Sequence, residues 1–314
     1  MRDVKPTTAC DLCAAFLLLE LEFPKQTATA PPTFTSISLA RFPSAMTYQP
    51  PRVDAQTLFT EMPWRLLHAA LWQVHANLLL LLDSNDPECV HQARIGWRRL
   101  RGTTRLLHGI HGHPEMPNPP AFKAVIDRLR GLRDLDVARL EVLPHAAAQA
   151  VEVPANEWDG LIQQLDQAAA AQGVALQALL QSPAVGQAMW QQVLWLAQLR
   201  DDPPPSLSQH DEETLSEWAC ARVTDIHHRF ARAQKCCQDE ETQHRARIWA
   251  KRLRYATEDL QHLLGNKAVK WLEQARRVQS SFGAQRDLQM AAGLAREHGF
   301  PQLAPHILGK SSTR

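Results

Sequence analysis

A chain of 314 residues with 45% hydrophobic and 21% charged content has an ordinary globular composition, long enough for one large core or two modest ones. Lys and Arg number 34 against 33 Asp and Glu, so a preference for a polyanion must come from where the cations lie and not from their sum. No run reaches the ~20 apolar residues that span a bilayer, and the spacing of the six cysteines excludes a disulfide framework.

Residues 1–51 stand apart. "KQTATAPPTFTSISLARFPSAMTYQPP" is rich in Thr, Ser, Ala and Pro and has neither a 3.6 nor a 2.0 period, which predicts a disordered tail. Translation from Met46 is the alternative to Met1, because periodic pattern begins only after it. "LCAAFLLLELEF" is interrupted by Glu20 and Glu22 and follows the mixed-charge "MRDVK", so it does not read as a signal peptide. Cys10-x-x-Cys13, Cys89, Cys220 and the adjacent Cys236 and Cys237 read as free thiols in a reducing cytoplasm, with no second pair at zinc-ligand spacing.

From Pro63 the pattern is helical almost throughout. "PWRLLHAALWQVHANLLLLLDS" and "DPECVHQARIGWRRLRGTTRLLHGI" both carry proline at the entry. Further helices are predicted over about 120–147, 155–172, 184–200, 210–237, 241–264 and 267–298, and nothing reads as a strand. The fold class is all-α. "DDPPPSLSQ", from 201, separates two halves of a domain spanning 52–310, about 58–200 and 209–300, with 201–208 as linker.

The halves share a repeat. "HQARIGWRRLR" at His91–Arg101 matches "HRARIWAKRLR" at His244–Arg254 in seven of eleven positions, at an offset of 153 residues. The same offset carries Arg133-Asp134-Leu135 onto Arg286-Asp287-Leu288, Lys123 onto Arg276 and His75 onto His228. A duplicated helical unit follows, with two pseudo-symmetric bundles.

At 100° per residue, His91, Arg94, Arg98, Arg101 and Arg105 fall on one stripe ~21 Å long. His244, Arg247, Lys251 and Arg254 repeat it, with Glu258 where Arg105 has its counterpart. Arg99 and Arg252 point elsewhere. Like charges one turn apart cost ~0.2–0.5 kcal/mol per pair on an isolated helix. Two such stripes facing one groove are therefore better explained by an anion lying there than by solvation. Asp134 and Asp287 each follow an arginine, and each is expected to fix a stripe arginine by a salt bridge. His91 and His244 are expected to open their helices, where the positive dipole end favours anions.

H-x-x-R-I-x-x-[RK]-R-L-R in both halves, each followed by R-D-L, resembles the CHAD family, the conserved-histidine α-helical domain, over roughly residues 58–300. The resemblance implies basic residues of both halves lining a groove or pore. It also implies the ligand, long-chain inorganic polyphosphate, bound without chemistry and often at polyphosphate granules in the cytoplasm. By motif position it assigns binding to His91, Arg94, Arg98, Arg101, His244, Arg247, Lys251 and Arg254. Arg105 joins through the stripe, and Lys123 and Arg276 join through the repeat. "ELEFPK" at 20–25 is a poor version of the E-x-E-x-K strand of the CYTH triphosphatase domain that precedes many members, so a stand-alone member is expected. No cofactor, catalytic residue, metal or membrane partner is expected.

Three other readings compete. Nucleic-acid backbone would satisfy the same cations, although single-strand binders interleave aromatic platforms. Here Trp72, Trp97, Trp249 and Trp271 are expected on apolar helix faces, leaving only Tyr255 near a stripe. A phosphate-chain enzyme would want clustered carboxylates, and only Asp134 and Asp287 repeat. Metal binding would rest on His108, His111 and His113, or on His227 and His228.

Overall fold

The computed structural model describes residues 44–108, 115–150, 152–202 and 214–309. Most of the expected tail, Cys10 and Cys13, His111 and His113, the linker beyond residue 202 and residues 210–213 of the expected sixth helix lie outside the described residues.

The helices start where proline or a short polar side chain satisfies their free amides. Helix α1, Met62–Leu80, has Pro63 in its first turn. Helix α2, Pro87–Leu107, begins at Asp86, whose carboxylate accepts the Glu88 amide. Helix α3 spans Pro120–Asp136, a π-helical turn follows over Val137–Val142, and α4 covers Leu143–Gln149. The periodicity predicts one helix over 120–147, and the structure interrupts it with that wider turn. Arg139 there donates to Asp136 at 3.0 Å and to Asp166 at 2.7 Å, and Arg133 donates to Glu141 at 2.8 Å.

Helix α5, Ala155–Leu180, runs about two turns past its expected end before α6, Pro183–Asp201. Helix α7, Leu215–Lys235, opens on a capping box of Thr214 and Glu217, and α8, Glu240–Asp259, on one of Asp239 and Thr242. The expected 241–264 helix breaks at Leu260, leaving α9 as Gln261–Leu264. The long α10, Lys267–Glu297, leads to a 3-10 turn, Pro301–Leu303, and the last short helix α11, Ala304–Ile307. Among the described residues the fold is all-α.

Helix α1 packs on α2 and α7 on α8, so in each half a stripe-bearing helix lies against the helix before it. Helices α2 and α8 meet each other, α3 lies on α2, and α10 covers α8 and reaches across to α3 and the π turn. Apolar side chains from Val53 to Ile307 join one continuous core. At Gly96 the approach of α1 to α2 is tightest: a Cβ there would stand 2.9 Å from both Val74 Cγ2 and the Val74 backbone nitrogen.

Residues 44–51 of the expected tail are described, and with Arg52 and Val53 they are anchored to the helices. They form no regular element, yet Val53 is fully buried, Met46 donates its amide to Asn77 at 3.0 Å, and the Tyr48 hydroxyl donates to Asp259 at 2.7 Å. The segment is held by single side chains and backbone polar groups, which leave no periodic signature.

Candidate functional site

Where α2 meets α8, cations from both halves converge with few counter-charges. Arg94 and Arg98 come from α2, Arg247 and Lys251 from α8, and Arg286 from α10. Burial drives the Lys251 ammonium down to about 7, and Arg98, Arg247, Arg286 and Arg254 push it the same way. Burial likewise brings Arg94 down to about 10, with Arg98, Arg130 and Arg286 adding to the shift and Asp134 opposing it. Arg247 is lowered by burial, then by Arg286 and Arg98, against Asp287. Arg98 and Lys251 correspond under the 153-residue offset, and they stand as near neighbours across the meeting of the two halves.

The R-D-L elements frame this cluster. Asp134 lies near Arg94, and its counterpart Asp287 lies near Arg247. Asp134 also takes Arg286, the arginine of the other half, at 4.0 Å. Asp287, whose carboxyl is raised by burial, faces both Arg286 and Arg133. Asp134 thus ties the two halves together through Arg286, and each aspartate offsets the charge of a nearby stripe arginine without an ion pair to it among the described residues. The Nε atoms of Arg94, Arg247 and Arg254 are buried and have no hydrogen-bond partner, unspent donors that suit an incoming anion.

One turn further along α2, Arg99 does the opposite work. Its side chain, 8% exposed, pairs with Glu258 and lies 3.6 Å from Asp259. It also sits 3.9 Å above the Tyr48 ring and 4.6 Å above the Tyr255 ring. Thr103 donates to Asp259 at 3.0 Å. This is an internal seam, with each charge partnered. Glu258 reaches outward too, 3.9 Å from Arg254 and 3.6 Å from Arg276. The second stripe therefore ends at Arg254 beside a carboxylate, which Arg276 of α10 shares.

The remaining stripe residues are dispersed. Arg101 is exposed, and Arg105 lines a different cleft together with Arg222, Arg229 and Arg252. Lys123 is exposed on the first turn of α3 and forms no ion pair among the described residues. His91 and His244 do not open their helices but sit about one turn inside α2 and α8, beyond the first free amides, because Asp86 and Asp239 already cap those ends. His91 is half-buried with an unpartnered Nδ1, and burial, Arg133 and Arg98 keep its imidazole below the ordinary range and so neutral near pH 7. His244 is exposed and lines a small cleft with Arg247, Phe282 and Arg286. Arg130, Arg133 and Arg286 belong to the surroundings of the cluster but not to the stripes. The R-D-L spacing named the last two as structural residues, and nothing singled out Arg130.

The aromatic expectations hold in part. Trp97 and Trp271 are buried, while Trp249 is only half-buried and carries Arg252 at 4.5 Å over its ring. Tyr255 is buried beneath Arg99 and Arg254 and offers no open face to a base. Among the described residues no group of three His, Cys, Asp or Glu stands close enough to hold a metal ion, and no helix is long and apolar enough to cross a membrane. What this arrangement can do chemically is attract and fork a polyvalent anion.

No curated protein matches the chain. A structure that it resembles is the crystal structure of the CHAD domain from the plant Ricinus communis, at 24% identity and a TM-score of 0.68, covering 86% of this chain and 89% of that one; this likeness carries the fold. The model of the CHAD domain family matches residues 65–296, which include both stripes and both R-D-L elements. The chain belongs to the CHAD family.

Proposed function

We propose that the chain binds inorganic polyphosphate without catalysis, through Arg94, Arg98, Arg247 and Lys251 at the meeting of α2 and α8, and that this binding places it at polyphosphate granules in the cytoplasm. The observation that carries the reading is the depression of Lys251 to about 7 by burial and by four arginines. Cations crowded enough to discharge one of their own are costly unless an anion relieves them. Polyphosphate suits them because it presents closely spaced charge and no bases to read, and arginine forks match phosphate oxygens. His91, Arg101, Arg105, Lys123, His244, Arg254 and Arg276 are second in rank, since they lie at the edges of the cluster, face another cleft or are engaged by Glu258.

The test compares long polyphosphate with single-stranded DNA at two salt concentrations. Affinity for polyphosphate is expected to fall with a slope of about −0.7 per phosphate neutralised, as for a single-stranded polyanion. Changing Arg98 and Lys251 to Gln and Met is expected to weaken binding on the order of 100-fold, from the loss of two charge-assisted contacts. Equal affinity of that variant and the parent would falsify the assignment. DNA bound as tightly as polyphosphate would favour a general backbone binder, and steady release of phosphate over hours would make the protein an enzyme.

A further inference from the structure

A second cationic cleft lies between α7 and α8, beside the C-terminal end of α2. Its volume is about 200 Å³, and its walls include Arg105, Arg222, Arg229, Arg252, Asp225 and Trp249. It owes its space to one substitution between the repeats. Gly96, where α1 approaches α2 too closely for a Cβ, corresponds under the offset to Trp249, and the indole stands between α7 and α8 where the first half has only backbone.

The walls are prepared for negative charge. Arg222 donates to the carbonyl oxygens of Leu106 at 3.0 Å and Arg105 at 3.2 Å, which offsets the negative end of α2 and fixes the guanidinium. Arg252 and Arg229 flank the Trp249 ring at 4.5 and 5.6 Å. The Nε of Arg252 is buried and unpartnered. Asp225, the only carboxylate among the lining residues, is engaged by Arg229 at 2.9 Å. Arg105 and Arg252 repel each other.

We propose that this cleft is a second anion site, separate from the central cluster, that holds a compact oxyanion of one or two phosphoryl groups. Its volume falls below the ~300 Å³ at which organic-ligand pockets begin and suits phosphate or pyrophosphate. The shared chemistry is a terminal or free phosphoryl group, supplied either by a small phosphate in solution or by the end of a polyphosphate chain. The site stands whether or not the central cluster binds polyphosphate.

Calorimetric titration of the full chain with inorganic pyrophosphate at low salt tests it. Binding is expected, and Arg229→Ala with Arg252→Ala should weaken it at least about tenfold. Gly102→Asp approaches the same end by another route. A Cβ at Gly102 meets only Tyr255 Cδ2, at 3.7 Å, so a carboxylate fits on the wall of the cleft without removing an arginine, and it should abolish binding. Because the central cluster also offers arginines to a small polyvalent anion, the titrations are repeated with Arg98→Gln and Lys251→Met in place, where pyrophosphate binding by the cleft should remain and should still be lost on adding either cleft change. Native circular dichroism of each variant is the control for folding. Absence of binding to the parent, unchanged affinity in both cleft variants, or loss confined to the Arg98 and Lys251 variant would overturn the proposal. With the site established, a titration repeated under saturating long polyphosphate identifies its source: displacement of pyrophosphate marks the chain end as occupant, and retention marks a free phosphate.

Discussion

The last two turns of α2 and of α8 begin from one pattern and finish with opposite duties. At the offset positions 99 and 252, both arginine, one side chain is sealed against Glu258, Asp259 and two tyrosines, and the other lies half-exposed over Trp249 beside the second cleft. Six residues later Arg105 corresponds to Glu258 under the offset, a cation in one half and in the other a carboxylate shared by Arg99, Arg254 and Arg276. Upstream, at Arg94 and Arg247 or Arg98 and Lys251, the halves keep like charge. Two helices that carry the same motif can thus share a cationic turn while their next turns diverge, one into a structural seam and one into open cationic surface.

The sharpest way to break this comparison is to treat the two arginines alike. Arg99→Met takes the cation from the buried Asp259, while Glu258 keeps Arg254 and Arg276, and is expected to cost about 3–5 kcal/mol, read by chemical denaturation. Arg252→Met removes no carboxylate partner and should cost under about 1 kcal/mol. Similar costs would mean that the seam is not where the folded state holds its charge.

A second test makes the central turns identical. Lysine at 251 titrates near 7 in the free protein and at 10.5 ordinarily, and a bound polyanion favours the ammonium. Below pH 7 that charge is already present. Above it binding must take up a proton, so polyphosphate affinity should fall as pH rises, by up to about tenfold per unit. Lys251→Arg restores the residue of the first half and should flatten the profile between pH 7 and 9. Without ligand the sign reverses for stability: between about 7 and 10.5 the unfolded lysine holds a proton that the folded one has released, so stability should rise with pH, and thermal melts of parent and Lys251→Arg read the difference. The smallest effect concerns the stripe ends. Glu258→Gln releases Arg254 and Arg276 and should strengthen polyphosphate binding about two- to fivefold, while Asp259 still holds Arg99; no gain would show that those arginines never reach the ligand.

The helices and the charge stripes were legible because both depend on periodicity. Phase alone separated Arg94, Arg98, Arg247 and Lys251 from Arg99 and Arg252. Phase could not say that Arg99 was buried against the other half, since its partners lie about 160 positions away and obey no local spacing. Tyr48 escaped for the same reason, as one anchoring side chain inside an aperiodic segment. The histidines were placed at helix ends because the motif starts with them, whereas the caps Asp86 and Asp239, a matched pair under the same offset, lie five residues before it. The π turn, too, is invisible to a 3.6 period. Trp249 looked like core because its sequence neighbours are apolar, and only the width of the α7–α8 gap made it a wall.

The seam at Asp259 also constrains the order in which the molecule can be built. Tyr48 and Asp259 stand 211 positions apart, and Arg99 and Glu258 stand 159 apart, so Asp259 gains its phenol and its guanidinium only after nearly the whole chain has closed on itself. Until then an incompletely assembled C-terminal half carries Asp259 at an apolar joint with no cation to answer it, while Glu258 has only Arg254 and Arg276. Long loop closure slows such a step and makes it cooperative. The parent would then melt in one transition and Arg99→Met would let the two halves melt apart, because the seam enforces completion: neither half is worth keeping until the other has arrived.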